Sequence, residues 1–300
     1  MVALVLVIIT SFVFTGLIIR TKSIVSGRKG PGIFQPVKNV WVLLNKGIVY
    51  SGISGPITRM APVVVLASIV VASLMVPVAG FKPLISFNGD FILFAYLLAL
   101  SRFMMIIAAF DTGSSFEGMG ASREALYGML LEPAIFVLIA GLVVLTGKFS
   151  MSALFSLPVD TGNNLIYGII ISYIIGNITL VENSRVPVDD PKTHLELTMI
   201  HEVMVLDTSG FNLALIQLTS FLKFAVFGGL IASTIIPGDL PAAWRLILFF
   251  VVQALFGIII GMVESFRTRF KMNRNQQYIL TVTLISMIFF VVIFFSKNIF

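Results

Sequence analysis

Long apolar runs separated by short polar segments recur along the whole chain. A run of about 18 or more apolar residues can cross the hydrocarbon core of a membrane, which is roughly 30 Å thick. Inside lipid the backbone must satisfy its own hydrogen bonds, so these runs are predicted to be helices. The pattern predicts an all-α, polytopic membrane protein with one integral membrane domain over residues 1–300. Its eight predicted transmembrane spans lie near residues 2–20, 60–81, 91–110, 125–146, 164–182, 211–236, 244–264 and 278–297.

The distribution of Lys and Arg predicts the orientation of these spans. Basic residues concentrate in the loops after the first, third, fifth and seventh spans and are sparse in the other loops. Because cytoplasmic loops carry an excess of Lys and Arg, these four loops are predicted to be cytoplasmic and both termini to lie outside. The first of these loops contains residues 36–50, whose apolar face (Val37, Val40 and Trp41) predicts an amphipathic segment at the membrane surface.

The composition supports a membrane protein and excludes several kinds of site. Charged residues make up only 11% of the chain, against about 25% in soluble domains. The net charge of +6 is explained by the orientation of the spans, so nucleic-acid binding is not expected. The chain contains no cysteine, which excludes disulfides and metal centres held by cysteine thiolates. Any iron–sulfur or nickel–iron centre is therefore expected in partner subunits.

Charged residues within the predicted spans are the main candidates for function. A charge in the middle of a span costs roughly 3 kcal/mol on insertion scales, so it usually has a specific role. A buried carboxylate can take and release a proton near neutral pH, and proton relays in pumps are built in this way. The alternatives are a structural ion pair for Glu132 and Lys223 and an interfacial position for Glu182 and Glu264. Asp111 or Glu132 could equally be a structural partner of Arg102. The candidates are Arg102, Asp111, Glu132, Glu182, Lys223 and Glu264.

The loop after the fifth span is acidic, and its acids alternate with apolar residues. Such a segment is expected to be half-buried, so that several of its acids lie against protein rather than water. His194 and His201 are the only histidines and are seven residues apart. Metal binding by them with Glu196 or Glu202 is conceivable, but local hydrogen bonding is the preferred interpretation, and no metal site is predicted.

Three segments resemble a known superfamily. The first is Arg28 to Pro36, with its basic-Gly-Pro…Gln-Pro pattern, and the second runs from Asp111-Thr112-Gly113-Ser114 through Gly120-Ala121-Ser122-Arg123-Glu124 to Glu132-Pro133. The third and most specific runs from Glu182-Asn183-Ser184-Arg185 through Asp189-Asp190-Pro191 to His201-Glu202. The superfamily comprises subunit 1 of respiratory complex I (NADH-quinone oxidoreductase) and its counterpart in membrane-bound, energy-converting nickel–iron hydrogenases. The third segment resembles hydrogenases of the formate hydrogenlyase type.

The resemblance implies a membrane-anchor and proton-relay subunit of such an oxidoreductase complex in the inner cell membrane, with no redox centre in this chain. Implied partners are the nickel–iron large subunit, the small iron–sulfur subunit, other hydrophilic-arm subunits, antiporter-like membrane subunits and the lipid bilayer. The expected proton relay comprises Asp111, Glu132, Glu182, Asp189, Glu196, Glu202, Lys223 and Glu264. The expected charge partners are Arg102, Arg123 and Arg185, and the expected contacts to the hydrophilic arm are Arg28, Gln35, Asp190, His194 and His201.

Two other functions stay open at the level of sequence. The first is complex I subunit 1 itself, which would contribute a quinone site. The second is an independent ion-coupled transporter. Transporters often contain internal repeats and paired broken helices, and neither is evident in this chain, so the hydrogenase interpretation is preferred.

Overall fold

The computed structural model describes residues 1–156, 162–189, 200–238 and 240–299. Within these ranges the only regular secondary structure is helical. The helices are α1 (Val2–Val25), α2 (Gln35–Leu44), α3 (Pro56–Leu74), α4 (Asp90–Asp111), α5 (Ser115–Thr146), α6 (Met151–Leu154), α7 (Gly162–Glu182), α8 (His201–Met204), α9 (Gly210–Ile235), α10 (Ala242–Phe266) and α11 (Met272–Ile299).

Eight of the described helices are long and apolar enough to cross a membrane, which confirms the predicted all-α, multi-pass class. They are α1, α3, α4, α5, α7, α9, α10 and α11. The loops that follow the first, third, fifth and seventh spans are the basic loops. The side of the molecule on which these four spans end is called the basic side below. The assignment of that side to the cytoplasm stays a prediction.

Two helix ends differ from the predicted spans. The second span was predicted to reach residue 81, but α3 ends at Leu74. Pro77 lacks an N–H and disfavours helical geometry in the residue before it, and the chain then turns at Ala79 and Gly80 with positive φ angles. The fourth span was predicted from residue 125, but α5 begins at Ser115. The segment predicted as a loop is therefore helical.

Helix α9 is the centre of the bundle. It packs against α1, α2, α3, α7 and α10, and 78% of its span is buried. The large side chains of Phe224 on α9 and Phe249 on α10 are fully buried in the main apolar core. Because α9 is enclosed by other helices, its polar residue Lys223 must find partners within the protein.

The amphipathic segment forms a helix over the first part of the predicted range. Helix α2 ends at Leu44, and Val40 packs against Ala214 and Phe221 of α9. Trp41 is 69% exposed on the opposite side. The helix therefore has one face against the bundle and an apolar residue facing outward, as expected for an element at a membrane surface.

Candidate functional site

A buried carboxylate, Glu182, lies at the end of α7 between two cations from neighbouring helices. Its Oε1 accepts a hydrogen bond from Nη2 of Arg102 on α4. Its Oε2 is 3.3 Å from Nζ of Lys223 on α9. The carboxylate side chain is only 1% exposed. Three candidates from three separate helices thus meet at one point, as buried charges must if they are to be compensated.

Arg102 also reaches two carboxylates on α5. Its Nε is 3.7 Å from Oε1 of Glu124, and its Nη1 is 3.6 Å from Oε1 of Glu132. Glu124, Gly128 and Glu132 follow one another at intervals of four residues, so they share one face of the helix. A Cβ atom at Gly128 would lie 2.6 Å from Nη1 of Arg102. The glycine therefore makes room for the guanidinium between the two acids.

The resulting Glu182 cluster has more acids than bases. It contains three carboxylates (Glu124, Glu132 and Glu182) and two cations (Arg102 and Lys223), so its formal charge with every group ionised is −3 + 2 = −1. A net charge in a low-dielectric environment is costly, and a carboxylate removes it by binding a proton. The cluster can therefore hold one exchangeable proton, after which two carboxylates and two cations balance each other in charge.

Two small cavities lie on either side of Arg102. One has a volume of about 40 Å³ and is lined by Glu124, Glu182, Lys223 and His201 among others. The other is also about 40 Å³ and is lined by Glu132, Glu182 and Tyr96 among others. A water molecule needs roughly 10–15 Å³ of such volume and two to four polar partners. Each cavity thus has room and partners for water that can carry protons to the cluster.

The two ends of the cluster differ in exposure. The side chain of Glu132 is 47% exposed on the lateral face of the bundle, whereas that of Glu124 is 13% exposed. His201 begins the short helix α8 on the basic side. Burial, with Lys223 and Arg185 nearby, lowers the pKa of the His201 imidazole to about 4. The imidazole is therefore neutral at pH 7.

A second ionic group surrounds Glu264 at the end of α10. Its Oε1 is 3.2 Å from Nη1 of Arg185, and its Oε2 is 3.7 Å from Nζ of Lys22 on α1. The Arg185 guanidinium also lies 5.2 Å from the ring centroid of Phe224, a cation–π distance. Among the described residues, this Glu264 group has one acid and two bases, so their formal charges sum to −1 + 2 = +1.

Asp189 organises the backbone on the basic side. Its Oδ1 is 2.9 Å from Nη2 of Arg269. Its Oδ2 accepts hydrogen bonds from the backbone N–H groups of Ile200 and His201 at 2.9 and 3.1 Å. These N–H groups lie at the start of α8, where a carboxylate is stabilising. Asp189 thereby holds His201 next to the Glu182 cluster.

Asp111 lies apart from these groups. Its Oδ2 accepts hydrogen bonds from the backbone N–H and the hydroxyl of Thr58, both at 2.9 Å. Thr58 is in the first turn of α3, whose N-terminal N–H groups have no partner within the helix. The contacts of Asp111 are therefore those of a helix cap, and Arg102 pairs with Glu132 instead.

The remaining predicted residues are dispersed along the basic side. Nη2 of Arg123 is 3.0 Å from Sδ of Met119, and Arg123 has further interactions. Glu202 is half-buried and has a partner. Arg28 and Gln35 are exposed, and Gln35 donates a hydrogen bond to Asn39. The other predicted relay and interface residues, Asp190, His194 and Glu196, lie outside the described residues.

Two acids of α5, one fully buried and one partly buried, were not among the candidates. Glu124 belongs to the Glu182 cluster, and Glu117 is fully buried with its Oε1 accepting the backbone N–H of Asp207 at 2.9 Å. Both were placed in a loop because the fourth span was predicted to begin at residue 125. Their spacing of seven residues, and the spacing of four between Glu124, Gly128 and Glu132, are the helical signals that identify them.

Comparison with known proteins gives a family match and several relatives. The family model described as NADH dehydrogenase matches residues 1–295. The chain is 28% identical over 235 residues to hydrogenase-4 component C of Escherichia coli (strain K12), covering 78% of this chain and 73% of that protein. It is 36% identical over 110 residues to formate hydrogenlyase subunit 4 of the same organism, covering 37% of this chain and 36% of that protein. It is 24% identical over 237 residues to NADH-ubiquinone oxidoreductase chain 1 of Triticum aestivum, covering 74% of this chain and 69% of that protein.

A solved structure has the same fold. It is described as the membrane-bound sulfane sulfur reductase, an archaeal respiratory membrane complex. One of its chains matches with a TM-score of 0.83 over 97% of both chains, at 18% sequence identity. The helical arrangement around the Glu182 cluster is therefore one that is found in a membrane-embedded respiratory assembly.

Proposed function

We propose a function for this chain on the premise that it belongs to the NADH dehydrogenase family, whose model matches nearly its full length. The chain acts as the membrane-anchor and proton-relay subunit of a membrane-bound nickel–iron hydrogenase complex. It couples electron transfer in a docked hydrophilic arm to ion translocation. The curated relatives named for hydrogenase-4 and formate hydrogenlyase support this branch, since they match at higher identity than the NADH-ubiquinone oxidoreductase chain.

The Glu182 cluster is the observation that carries the proposal. A buried group of three acids and two bases binds one proton to reach neutrality, and it releases that proton when a neighbouring charge changes. Arg102 contacts all three acids, so the proton can move among them while the guanidinium keeps at least two of them compensated. This arrangement suits a relay better than a static ion pair.

The proposed path runs from the basic side to the lateral face of the bundle. His201 lies at the edge of the cavity that contacts Glu124 and Glu182. A neutral imidazole can accept a proton at one nitrogen and donate from the other, so His201 transfers protons without storing them. Glu132 is the exit, because a half-exposed carboxylate within a span must face a polar group rather than lipid. An antiporter-like membrane subunit would supply that group.

The hydrophilic arm is proposed to dock on the basic side in the cytoplasm. The partners there are the nickel–iron large subunit and the small iron–sulfur subunit, which hold the redox centres. This side carries Arg28 and Gln35. It also carries Asp189, whose carboxylate accepts the backbone N–H groups at the start of α8. Reduction in the arm would alter the charge near His201 and thereby the proton affinity of the Glu182 cluster. The chain is proposed to reside in the inner cell membrane.

Gentle solubilisation and affinity purification of the tagged chain test the proposal. We expect a nickel–iron subunit and hydrogen-evolving activity to co-purify. Recovery of NADH- or quinone-linked subunits instead would support the complex I function, which the plant relative represents. Recovery of the chain without partners would contradict both and favour a transporter.

The relay is tested in inverted membrane vesicles from the same strain. We expect Glu182→Gln and Glu132→Gln to abolish proton uptake coupled to hydrogen evolution while the complex assembles normally. Asp207→Asn is the matched control, since it also removes one acid on the basic side but its side chain is exposed. Normal proton uptake by both glutamine variants would mean that these acids are structural.

A further inference from the structure

The described residues form an apolar lateral groove that none of the residues of the Glu182 cluster lines. It has a volume of about 470 Å³ and lies between α7, α9, α10 and α11. Helices α7 and α10 both pack on α9 but barely contact each other. They approach at Gly176, where the absence of a side chain leaves space beside Phe256. The groove therefore forms because α7 and α10 both pack against α9 but do not pack closely against each other.

The groove is apolar along most of its length. Its floor contains Leu180, Ile231 and Ile260, which are buried. Its rim contains Leu255 and Ile259, which are 53% and 51% exposed. On α10 it extends from residue 252 to residue 267, which at 1.5 Å per residue is about 22 Å. That length is about half of the 40–45 Å of a bilayer with its headgroups, so the groove spans one leaflet.

One end of the groove is polar and positively charged. Arg267 follows the last residue of α10 and is exposed at this end. The hydroxyl of Tyr278 donates a hydrogen bond to Asn177 at 2.6 Å in the same region. No ion pair involves Arg267 within the part of the chain that the structure describes. The loop that it begins also contains Arg269 and Lys271, and Arg274 follows in the first turn of α11, so an anion at the membrane surface is attracted to this end.

We propose that the lateral groove binds an anionic phospholipid, with one acyl chain along α10 and the phosphate group paired with Arg267. The apolar lining suits the acyl chain, and the exposed guanidinium can donate two parallel hydrogen bonds to phosphate oxygens.

Photo-crosslinking in the assembled complex tests the site. The tagged chain and its co-purifying subunits are reconstituted with a trace of phosphatidylglycerol that carries a diazirine on one acyl chain. Labelled peptides are then mapped by mass spectrometry. We expect labelling of the α10 peptide that contains Leu255 and Ile259, with about five-fold less from the same probe on phosphatidylcholine, as one basic contact of about 1 kcal/mol implies.

Two variants test the headgroup and the chain separately. Arg267→Gln should reduce labelling by phosphatidylglycerol about five-fold. Arg274→Gln should not, because it removes a nearby charge from the first turn of α11, outside the groove. Gly176→Leu should block the groove and reduce labelling by both probes, because a Cβ at this position is at an ordinary 3.7 Å from Phe256 and the longer side chain enters the groove. Equal labelling by the two lipids, or labelling unchanged by Arg267→Gln, would overturn the proposal. Absence of α10 labelling in the complex would show that another subunit covers the groove and would also overturn it.

Discussion

The Glu182 cluster and the Glu264 group are built from the same residue types but have opposite charge balances. Within the part of the chain that the structure describes, the first has three acids for two bases, and the second has one acid for two bases. An excess of acid is relieved by binding a proton, whereas an excess of base is not, and the arginine of the Glu264 group has no proton to release in a protein. Cavities also adjoin the first group on two sides. Burial and ion pairing alone therefore do not identify a proton site, whereas the charge balance does.

The comparison predicts that Glu182→Gln has the largest functional effect. Replacing this acid leaves two acids and two bases, so the cluster becomes neutral and no longer needs a proton. We expect coupled proton uptake in vesicles to fall at least ten-fold, which is about 1.4 kcal/mol or more in activation free energy. Hydrogen evolution should continue, since no redox centre is altered. Proton uptake above half of the wild-type rate, in complex of normal composition, would contradict the charge-balance argument.

Arg102→Met should have the largest effect on stability. Removing the one cation that contacts all three acids leaves buried carboxylates uncompensated, and loss of one partner from a buried ion pair typically costs about 3–5 kcal/mol. We expect a lower yield of assembled complex and a lower unfolding temperature in detergent.

The double variant Arg102→Met with Glu182→Gln provides the control for this effect. Because it removes one opposite charge as well, it should recover part of the lost stability. Equal stability of the single and double variants would mean that Arg102 does not compensate Glu182.

Glu264→Gln sharpens the comparison, since the Glu264 group is expected to be structural although the sequence placed it in the relay. The change leaves Arg185 without its carboxylate partner 3.2 Å away, and hydrogen bonds to charged groups contribute about 1.5–3 kcal/mol. We expect the free energy of unfolding to fall by about that amount, while proton uptake per assembled complex stays unchanged. If the fully assembled complex of this variant lost proton uptake, the expectation would be wrong and Glu264 would belong to the relay.

The sequence predicted the fold more completely than the site. Eight helices followed from apolar runs alone, because each span must be continuous and its length is set by the membrane. Arg102, Glu182 and Lys223 were identified because charge is rare within such runs. Their mutual contacts were not predictable, since they depend on which helices become neighbours. The contact of Asp111 with the start of α3 was not predictable for the same reason.

Glu124 was missed for a different reason. It lies one residue before residue 125, where the predicted fourth span begins. A prediction based on hydropathy therefore placed it in a loop, although it lies within α5. The helix begins earlier because the preceding residues Ser115 to Arg123 pack against α8, where a Cβ at Gly120 would lie 2.9 Å from the carbonyl oxygen of Ile200. Tertiary contact rather than hydropathy thus decides where this helix starts.

His201 gives the smallest predicted effect and tests the link between the cluster and the basic side. Its pKa is about 4 in the folded chain against 6.5 for a free imidazole, so below pH 6.5 the unfolded chain binds a proton that the folded chain does not. Stability should therefore fall as the pH is lowered from about 6.5 to about 4, by about 1–2 kcal/mol at pH 5. His201→Gln should remove this contribution, so the drop in unfolding temperature between pH 7 and pH 5 becomes smaller than in the wild type. Asp207→Asn is the control and should leave the drop unchanged. An equal drop in all three proteins would contradict the prediction. It would mean that the His201 imidazole is protonated in the folded chain and holds a proton beside the Glu182 cluster rather than passing it on.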